Sequence, residues 1–179
     1  MKAVFLDRDG VINKYPGDKV YVSSLRKFNF LPNVKKAIAL LNKQGYRIFV
    51  VSNQAGVGKG TYSQKTLDLI TAKMLDDIQK SGGRITKVYY CTHRQEIDCA
   101  CRKPKPGMLK MAAGEFKINL KNAYFIGDTM PDIFTAQAAG CKSILVLTGK
   151  EKQKNQKNWE IRPDFVFKDL LAAAKFLTR

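Results

Sequence analysis

The stretch Ala3-Val4-Phe5-Leu6-Asp7-Arg8-Asp9-Gly10 decides the fold. Its first four residues form an apolar run, which predicts a buried strand, and two carboxylates follow where the strand becomes a loop. If Asp7 and Asp9 converge on one point, a cation must offset their repulsion, and Mg²⁺ is a hard ion that prefers oxygen ligands. A pattern this short also fits ordinary loop and cap residues, because Asp is common at both. Other motifs of the chain are therefore needed to distinguish a metal site from ordinary loop or cap residues.

Further strand patterns alternate with helical patterns along the chain. The additional strands are expected at 47–51, 87–90, 123–126, 143–147 and 165–167, and helices are expected to begin near Pro32, Ser63, Pro106, Pro131 and Leu170. Short apolar strands that alternate with helices favour βαβ units and a mainly parallel sheet covered on both faces. Residues 15–30 are expected to form a loop or small hairpin that acts as a flap, and residues 148–160 a polar surface loop.

Polar side chains follow four of the predicted strands. Asp7 and Asp9 follow the first, Ser52-Asn53 the second and Asp128 the fourth, while Arg102-Lys103 comes after the third. Ligands of such sheets bind outside the carboxyl ends of the strands. We therefore expect these groups to meet at one edge of the sheet, with Asp128 as a third carboxylate and Asp132 as a further ligand or a group that supports one.

Three of the four cysteines and the only histidine lie within eleven positions, as Cys91, His93, Cys99 and Cys101. In a cytosolic chain this spacing indicates metal ligation rather than a disulfide framework. Three thiolates and one imidazole make a closed tetrahedral set for Zn²⁺, which predicts a structural site; free buried thiols are the alternative. Such a site would hold the loop that carries Arg102 and Lys103. Cys141 is expected to be a small buried hydrophobe.

Four motifs, taken together, resemble those of the haloacid dehalogenase (HAD) phosphohydrolases. They are Leu6-Asp7-Arg8-Asp9-Gly10-Val11, Val50-Val51-Ser52-Asn53-Gln54, Arg102-Lys103-Pro104 and Gly127-Asp128-x3-Asp132, in the order of that superfamily. The resemblance covers essentially the whole chain. It implies a HAD-like Rossmannoid three-layer α/β sandwich formed as one domain by residues 1–179, with no large cap domain, a flap at about 15–30 and a zinc loop at 91–107.

The resemblance also implies roles for the residues of these motifs. Asp7 would be the nucleophile that forms an aspartyl-phosphate, and Asp9 the acid and base that serves the leaving alkoxide and then the hydrolytic water. Mg²⁺ would be held by Asp7, Asp128 and the main-chain carbonyl of Asp9. Ser52 and Lys103 would bind phosphoryl oxygens. Phosphoryl transfer depends mostly on positioning and charge neutralisation, which these groups supply.

The cysteine loop narrows the resemblance to the D-glycero-D-manno-heptose 1,7-bisphosphate 7-phosphatases. Histidinol-phosphate phosphatases share this loop and are the runner-up. The run Cys101-Arg102-Lys103-Pro104-x-Pro106-Gly107 is more similar to the heptose enzymes. Substrate contacts are expected from Asn53, Arg102 and the flap residue Tyr21. Thr129 stands where some heptose enzymes have Lys, so this contact differs.

The motifs do not account for the large positive charge of the chain. The 179 residues include 32 Lys or Arg and 15 Asp or Glu, a formal net charge of +17. The charge keeps two alternatives in view: a phosphatase acting on nucleic-acid ends, and a non-catalytic zinc module that binds nucleic acid. A small phosphorylated sugar is nevertheless the expected partner. We expect a cytoplasmic monomer without a membrane span or signal peptide, because no apolar run is long enough and acidic residues follow the N-terminus closely.

Overall fold

The computed structural model describes residues 1–152 and 159–179. Its centre is a six-stranded sheet in which every neighbouring pair is parallel and the strand order is β3-β2-β1-β4-β5-β6. The strands are β1 Ala3–Leu6, β2 Arg47–Asn53, β3 Lys87–Cys91, β4 Ala123–Gly127, β5 Lys142–Val146 and β6 Phe165–Phe167. The parallel α/β fold predicted from the sequence is confirmed, and β1 occupies a central position between β2 and β4.

The described residues form six α-helices, five of them in connections between strands and the last after β6. They are α1 Val34–Lys43, α2 Ala55–Gly58, α3 Gln64–Lys80, α4 Gly107–Phe116, α5 Met130–Ala139 and α6 Leu170–Leu177. Their ends follow local chemistry: the Ser63 side chain accepts a hydrogen bond from the Thr66 amide at the start of α3, and Gly140 closes α5 in the left-handed region at φ 77°. The single turn α2 lies between β2 and α3, where no helix was predicted.

Two apolar clusters make the sheet the middle of three layers. Val4 and Leu6 of β1 face α1, α3 and α6, whereas Ala3 and Phe5 face the side covered by α4 and α5. All four side chains are fully buried. Because successive side chains of a strand point to opposite faces, a continuous apolar run is required wherever both faces are covered. Burial of each large apolar side chain contributes about 1.5–3 kcal/mol, so β1 is anchored from both sides.

The flap is a loop, which is one of the two forms predicted for residues 15–30. Residues 15–30 contain a 3₁₀ turn at Leu25–Lys27 and no strand, and their pairing is limited to one bridge between Phe30 and Asn13. This segment contains Pro16, Gly17 and Ser23-Ser24, and residues of these types favour turns. Of the polar loop expected at 148–160, residues 153–158 lie outside the described part of the chain. Among the described residues, no helix is long and apolar enough to cross a membrane.

Candidate active site

The carboxyl ends of the strands open into one cavity of about 540 Å³. Its walls include every residue that was expected to act on or bind a phosphorylated substrate: Asp7, Asp9, Tyr21, Ser52, Asn53, Arg102, Lys103, Asp128 and Thr129. The flap contributes Tyr15, Pro16, Gly17, Lys19 and Val20 to the same walls. Parallel pairing brings these groups together, because the ends of neighbouring strands fall at one edge of the sheet.

A buried lysine stands between two carboxylates at the floor of this cavity. Lys103 Nζ lies 2.9 Å from Asp7 Oδ1 and 2.6 Å from Asp132 Oδ1, and it donates to the Val51 carbonyl at 3.2 Å. Only 5% of the lysine side chain is exposed. Burial opposes its charge, but Asp132 and Asp7 together raise the pKa of Lys103 above its ordinary value. The floor therefore holds a fixed positive charge directly beside Asp7.

Asp132 is held at both of its oxygens. While Oδ1 receives Lys103, Oδ2 accepts hydrogen bonds from the Asp128 amide at 3.2 Å, the Thr129 amide at 3.0 Å and the Thr129 hydroxyl at 2.6 Å. The carboxylate thus sits at the positive end of α5, where a negative charge is favoured. These contacts tie Lys103, Asp128 and Thr129 to one buried group.

Three carboxylates converge on a point that suits a divalent cation. The nearest oxygens of Asp7, Asp128 and Asp132 all lie within 4.8 Å of one another. Asp128 Oδ1 is buried without a hydrogen-bond partner in the described structure. Burial and mutual repulsion raise the pKa of Asp7 to about 6, and burial together with Asp132 and Asp7 raises that of Asp128 well above its usual value. A hard dication bound by oxygen ligands would relieve this repulsion, so the residues fit Mg²⁺.

Gly10 is required by the close approach of Asp128. Its φ of 89° is in the region that favours glycine, and a Cβ atom there would overlap the Asp128 carboxylate. On the other side, the Lys150 amide donates to Asp128 Oδ2 at 2.8 Å. The loop after β1 and the loop after β5 therefore fix Asp128 from two directions.

Asp9 is held by a network that the sequence interpretation did not identify. Arg8 donates to it from Nε at 3.1 Å and from Nη2 at 3.0 Å, Asn13 Nδ2 at 2.9 Å and Gln54 Nε2 at 2.9 Å. Arg8 lies between Asp7 and Asp9 and points away from the cavity. The alternation of side chains along an extended segment was the signal that could have placed it there. Unlike the carboxylates of the floor, the Asp9 side chain remains 20% exposed.

Asn53 and Ser52 take up positions around Lys103 and Asp7. Asn53 Oδ1 accepts from the Lys103 amide at 3.1 Å, and its Nδ2 donates to the Lys103 carbonyl at 3.1 Å. Both polar atoms of the Asn53 side chain thus hold the backbone that carries the lysine. Ser52 is buried, and its hydrogen bond to Asp7 lowers the pKa of that carboxyl against the larger effect of burial.

The cysteine cluster forms one compact group beside the cavity. The sulfurs of Cys91, Cys99 and Cys101 lie 3.2–3.5 Å apart, and His93 Nδ1 lies 3.3 Å from the Cys101 sulfur. Zn²⁺ with Zn–S bonds of about 2.3 Å needs four ligands at closely similar separations, so the set fits this ion. All four cysteines, including the buried Cys141, are free of disulfides.

The remaining predicted contacts lie on the rim of the cavity. Arg102 Nη1 donates to the His93 carbonyl at 3.4 Å, which links it to the cysteine cluster. The Tyr21 ring from the flap lies 6.2 Å from the Tyr62 ring. Gly56 permits this approach, because a Cβ atom there would overlap Tyr62 and crowd Tyr21.

Comparisons with known proteins agree with this geometry. A HAD-hydrolase-like family model matches residues 100–173. The chain is 38% identical to the D-glycero-beta-D-manno-heptose-1,7-bisphosphate 7-phosphatase of Pseudomonas putida over 99% of both chains. It is 34% identical to the enzyme of the same name from Pseudomonas aeruginosa, over 97% of this chain and 96% of the relative.

A solved structure shows the same similarity. The D,D-heptose 1,7-bisphosphate phosphatase from B. bronchiseptica, complexed with magnesium and phosphate, superposes with a TM-score of 0.93 at 33% identity, covering 99% of this chain and 98% of that one. Similarity of sequence and fold extends in each case over nearly the full length of both chains. The chain therefore belongs to the D-glycero-D-manno-heptose 1,7-bisphosphate 7-phosphatase family of HAD hydrolases.

Proposed function

We propose that the protein is a Mg²⁺-dependent phosphomonoester hydrolase that removes the 7-phosphate of D-glycero-D-manno-heptose 1,7-bisphosphate. The observation that carries this proposal is the floor of the cavity, where Lys103 Nζ lies 2.9 Å from Asp7 and the carboxylates of Asp7 and Asp128 share a site for a cation. A nucleophile, a fixed cation and a metal site at one point are the requirements of phosphoryl transfer.

The reaction proceeds in two steps on Asp7. In the first, its carboxylate attacks phosphorus, the bond from phosphorus to the sugar oxygen breaks, and Asp9 gives a proton to the leaving alkoxide. In the second, water attacks the phosphorus of the aspartyl-phosphate and gives a proton to Asp9, so that inorganic phosphate and free Asp7 are released. Lys103 and Ser52 bind the phosphoryl oxygens during both steps.

Bound Mg²⁺ supplies charge neutralisation at the phosphoryl oxygens, and Asp7, Asp128 and the Asp9 carbonyl would hold it. The contacts of Asp132 support a role other than that of a metal ligand. Since its two oxygens are taken by Lys103 and by donors at the start of α5, it orients Lys103 rather than binding the metal.

Zn²⁺ at Cys91, His93, Cys99 and Cys101 has a structural part in this proposal. Four protein ligands leave no coordination position for water or substrate. The loop that follows Cys101 carries Arg102 and Lys103 into the cavity, and Asn53 receives it there. Zinc would thus fix the position of the phosphate-binding lysine from outside the reaction.

The walls of the cavity suit a substrate with a second phosphate. Beyond Lys103, they include Lys19 of the flap, Arg102 and Lys105. Lys105 is paired with Asp98 at 2.7 Å, while the Arg102 side chain donates to the His93 main-chain carbonyl at 3.4 Å. A bisphosphate would bind more tightly in this positive surrounding.

We further propose that residues 1–179 form one hydrolase domain that acts as a monomer in the cytoplasm. The reducing environment there preserves thiolate ligands.

A phosphate-release assay tests the proposal. The wild-type protein is supplied with Mg²⁺ and either anomer of heptose 1,7-bisphosphate, histidinol phosphate or a 3′-phosphorylated oligonucleotide. We expect the highest kcat/KM with a heptose bisphosphate and no turnover by Asp7→Asn. Preference for histidinol phosphate would transfer the assignment to that substrate. Preference for the oligonucleotide would give the +17 charge a functional meaning, and binding of oligonucleotide without any turnover would favour a non-catalytic module.

A further inference from the structure

The buried guanidinium of Arg8 has one carboxylate partner in the described structure, and this partner is Asp9. Arg8 is fully buried and is the largest side chain that is. Two of its nitrogens contact the Asp9 carboxylate at 3.0–3.1 Å, and Nη2 also donates to Gln54 Oε1 at 2.8 Å. A buried charge of this kind is costly unless its geometry is well satisfied. Its position beside a partly buried carboxylate therefore requires an explanation.

Gln54 adds a second donor at Asp9 Oδ2, which Arg8 Nη2 also contacts. Its Nε2 donates to Asp9 Oδ2 at 2.9 Å, and its Oε1 accepts from both Arg8 and the Tyr62 hydroxyl, the latter at 2.6 Å. The amide is thus oriented by Tyr62 and Arg8 so that its NH₂ group faces Asp9. Gln54 is 1% exposed and Tyr62 7% exposed, so solvent does not compete for these bonds.

We propose that Arg8, together with Gln54, is a positioning residue that holds the Asp9 carboxylate in the orientation required for proton transfer to the leaving group. The planar fork of the guanidinium fixes the carboxylate plane, and Gln54 prevents rotation about the last side-chain bond. This inference rests on the proposed function, because it assigns a purpose to the orientation of the acid. Neither residue touches the reacting atoms.

Proton transfer from Asp9 tolerates little misplacement of its carboxylate. A general acid contributes about 10²–10⁴-fold, and this is obtained only within hydrogen-bond reach of the departing oxygen. A free Asp9 side chain on the wall of a wide cavity would sample several rotamers. Contacts that restrict it before the substrate arrives remove that cost from the reaction.

The experiment compares two leaving groups. The alkoxide of the heptose bisphosphate needs a proton, whereas the nitrophenolate of p-nitrophenyl phosphate leaves without one. We expect Arg8→Met to lower kcat/KM about tenfold or more for the sugar phosphate and by less than about threefold for p-nitrophenyl phosphate. Arg8→Lys should show the same selective loss, because it keeps the charge without the fork. Ile38→Ala, a core substitution remote from the cavity, is the control for general loosening and should affect both substrates alike.

Two further variants separate the possible failures. If Arg8→Met does not fold, Gln54→Leu gives the same comparison, because it removes the Gln54 donor to Asp9 Oδ2. Asp9→Asn tests the proposed function itself. It should give the largest loss of kcat/KM for the sugar phosphate relative to p-nitrophenyl phosphate. Suppose that Asp9→Asn lowers kcat/KM mainly for the sugar phosphate. If the Arg8 and Gln54 variants then lower kcat/KM equally for both substrates, the positioning role is wrong. If Asp9→Asn lowers kcat/KM equally for both substrates, Asp9 is not the acid, and the positioning role is then wrong as well.

Discussion

Replacing the proposed nucleophile by its neutral isostere, Asp7→Asn, should make the Mg²⁺-free protein more stable. Burial is the largest cause of the high pKa of Asp7, and Asp132 and Asp9 add to it against the favourable effect of Lys103. The rise from 3.8 to about 6, at about 1.4 kcal/mol for each pKa unit, corresponds to about 3 kcal/mol. The folded protein bears this cost at pH 8, where Asp7 is ionised.

The pH dependence has a definite sign. Because the folded pKa is above the unfolded one, the folded state binds the extra proton and wild-type stability falls as pH rises from about 4 to about 6. At pH 5 the cost to the wild type is about half of its value at pH 8. We therefore expect Asp7→Asn to gain about 1–3 kcal/mol at pH 8, after allowing for a weaker contact with Lys103, and visibly less at pH 5.

Urea unfolding in Mg²⁺-free buffer at both pH values measures this difference. Asp76→Asn, at an exposed position on α3, is the matched control and should stay within about 0.5 kcal/mol of the wild type. Addition of Mg²⁺ should stabilise the wild type and leave Asp7→Asn nearly unchanged. If Asp7→Asn is as stable as the wild type or less stable at pH 8, the account of a strained carboxylate cluster is wrong.

Three other substitutions test separate parts of the structure. Cys101→Ser should abolish zinc retention and lower the melting temperature, whereas Cys141→Ser keeps the metal; elemental analysis after dialysis decides, and retained zinc would contradict the ligand set. Asn53→Ala leaves both main-chain groups of Lys103 unpaired and should cost about 1–3 kcal/mol while lowering kcat/KM at unchanged zinc content; an unaltered rate would refute its bracing role. Asp164→Ala removes two hydrogen bonds from β5 and should cost about 1 kcal/mol at pH 7 without a change in turnover. Although burial opposes it, those bonds hold the Asp164 pKa below 3.8, so the cost should be full at pH 7 and shrink as pH falls below about 3.8, and a cost that grows on acidification would contradict the assignment.

The sheet could be predicted from the sequence because its central strands are buried on both faces and therefore form continuous apolar runs. A continuous apolar run such as Ala3–Leu6, bounded by carboxylates and glycine, has few alternatives in an α/β protein. The same reasoning placed Asp7 and Asp128 at one edge, and the structure brings them together. The spacing of Cys91, His93, Cys99 and Cys101 likewise predicted a cluster that the structure forms.

What the sequence did not indicate depends on long-range side-chain contacts. Arg8 belongs to the most informative stretch of the chain, yet its partner Gln54 is 46 residues away and its burial becomes visible only once β1 and β2 are paired. Asn53 was expected to bind substrate, and its contacts with the Lys103 backbone follow from the path of a loop 50 residues later. For the flap, its turn-forming residues left a loop and a small hairpin as alternatives, and the structure has a loop with one bridge between Phe30 and Asn13.

The central claim is that hydrolysis passes through a phosphorylated Asp7. We would mix the enzyme with Mg²⁺ and heptose 1,7-bisphosphate, quench within one turnover, reduce with borohydride and analyse the peptides by mass spectrometry. Borohydride converts an aspartyl-phosphate to homoserine, so we expect homoserine at position 7 in the wild type and none in Asp7→Asn. Release of phosphate at the wild-type rate with position 7 unmodified would contradict it.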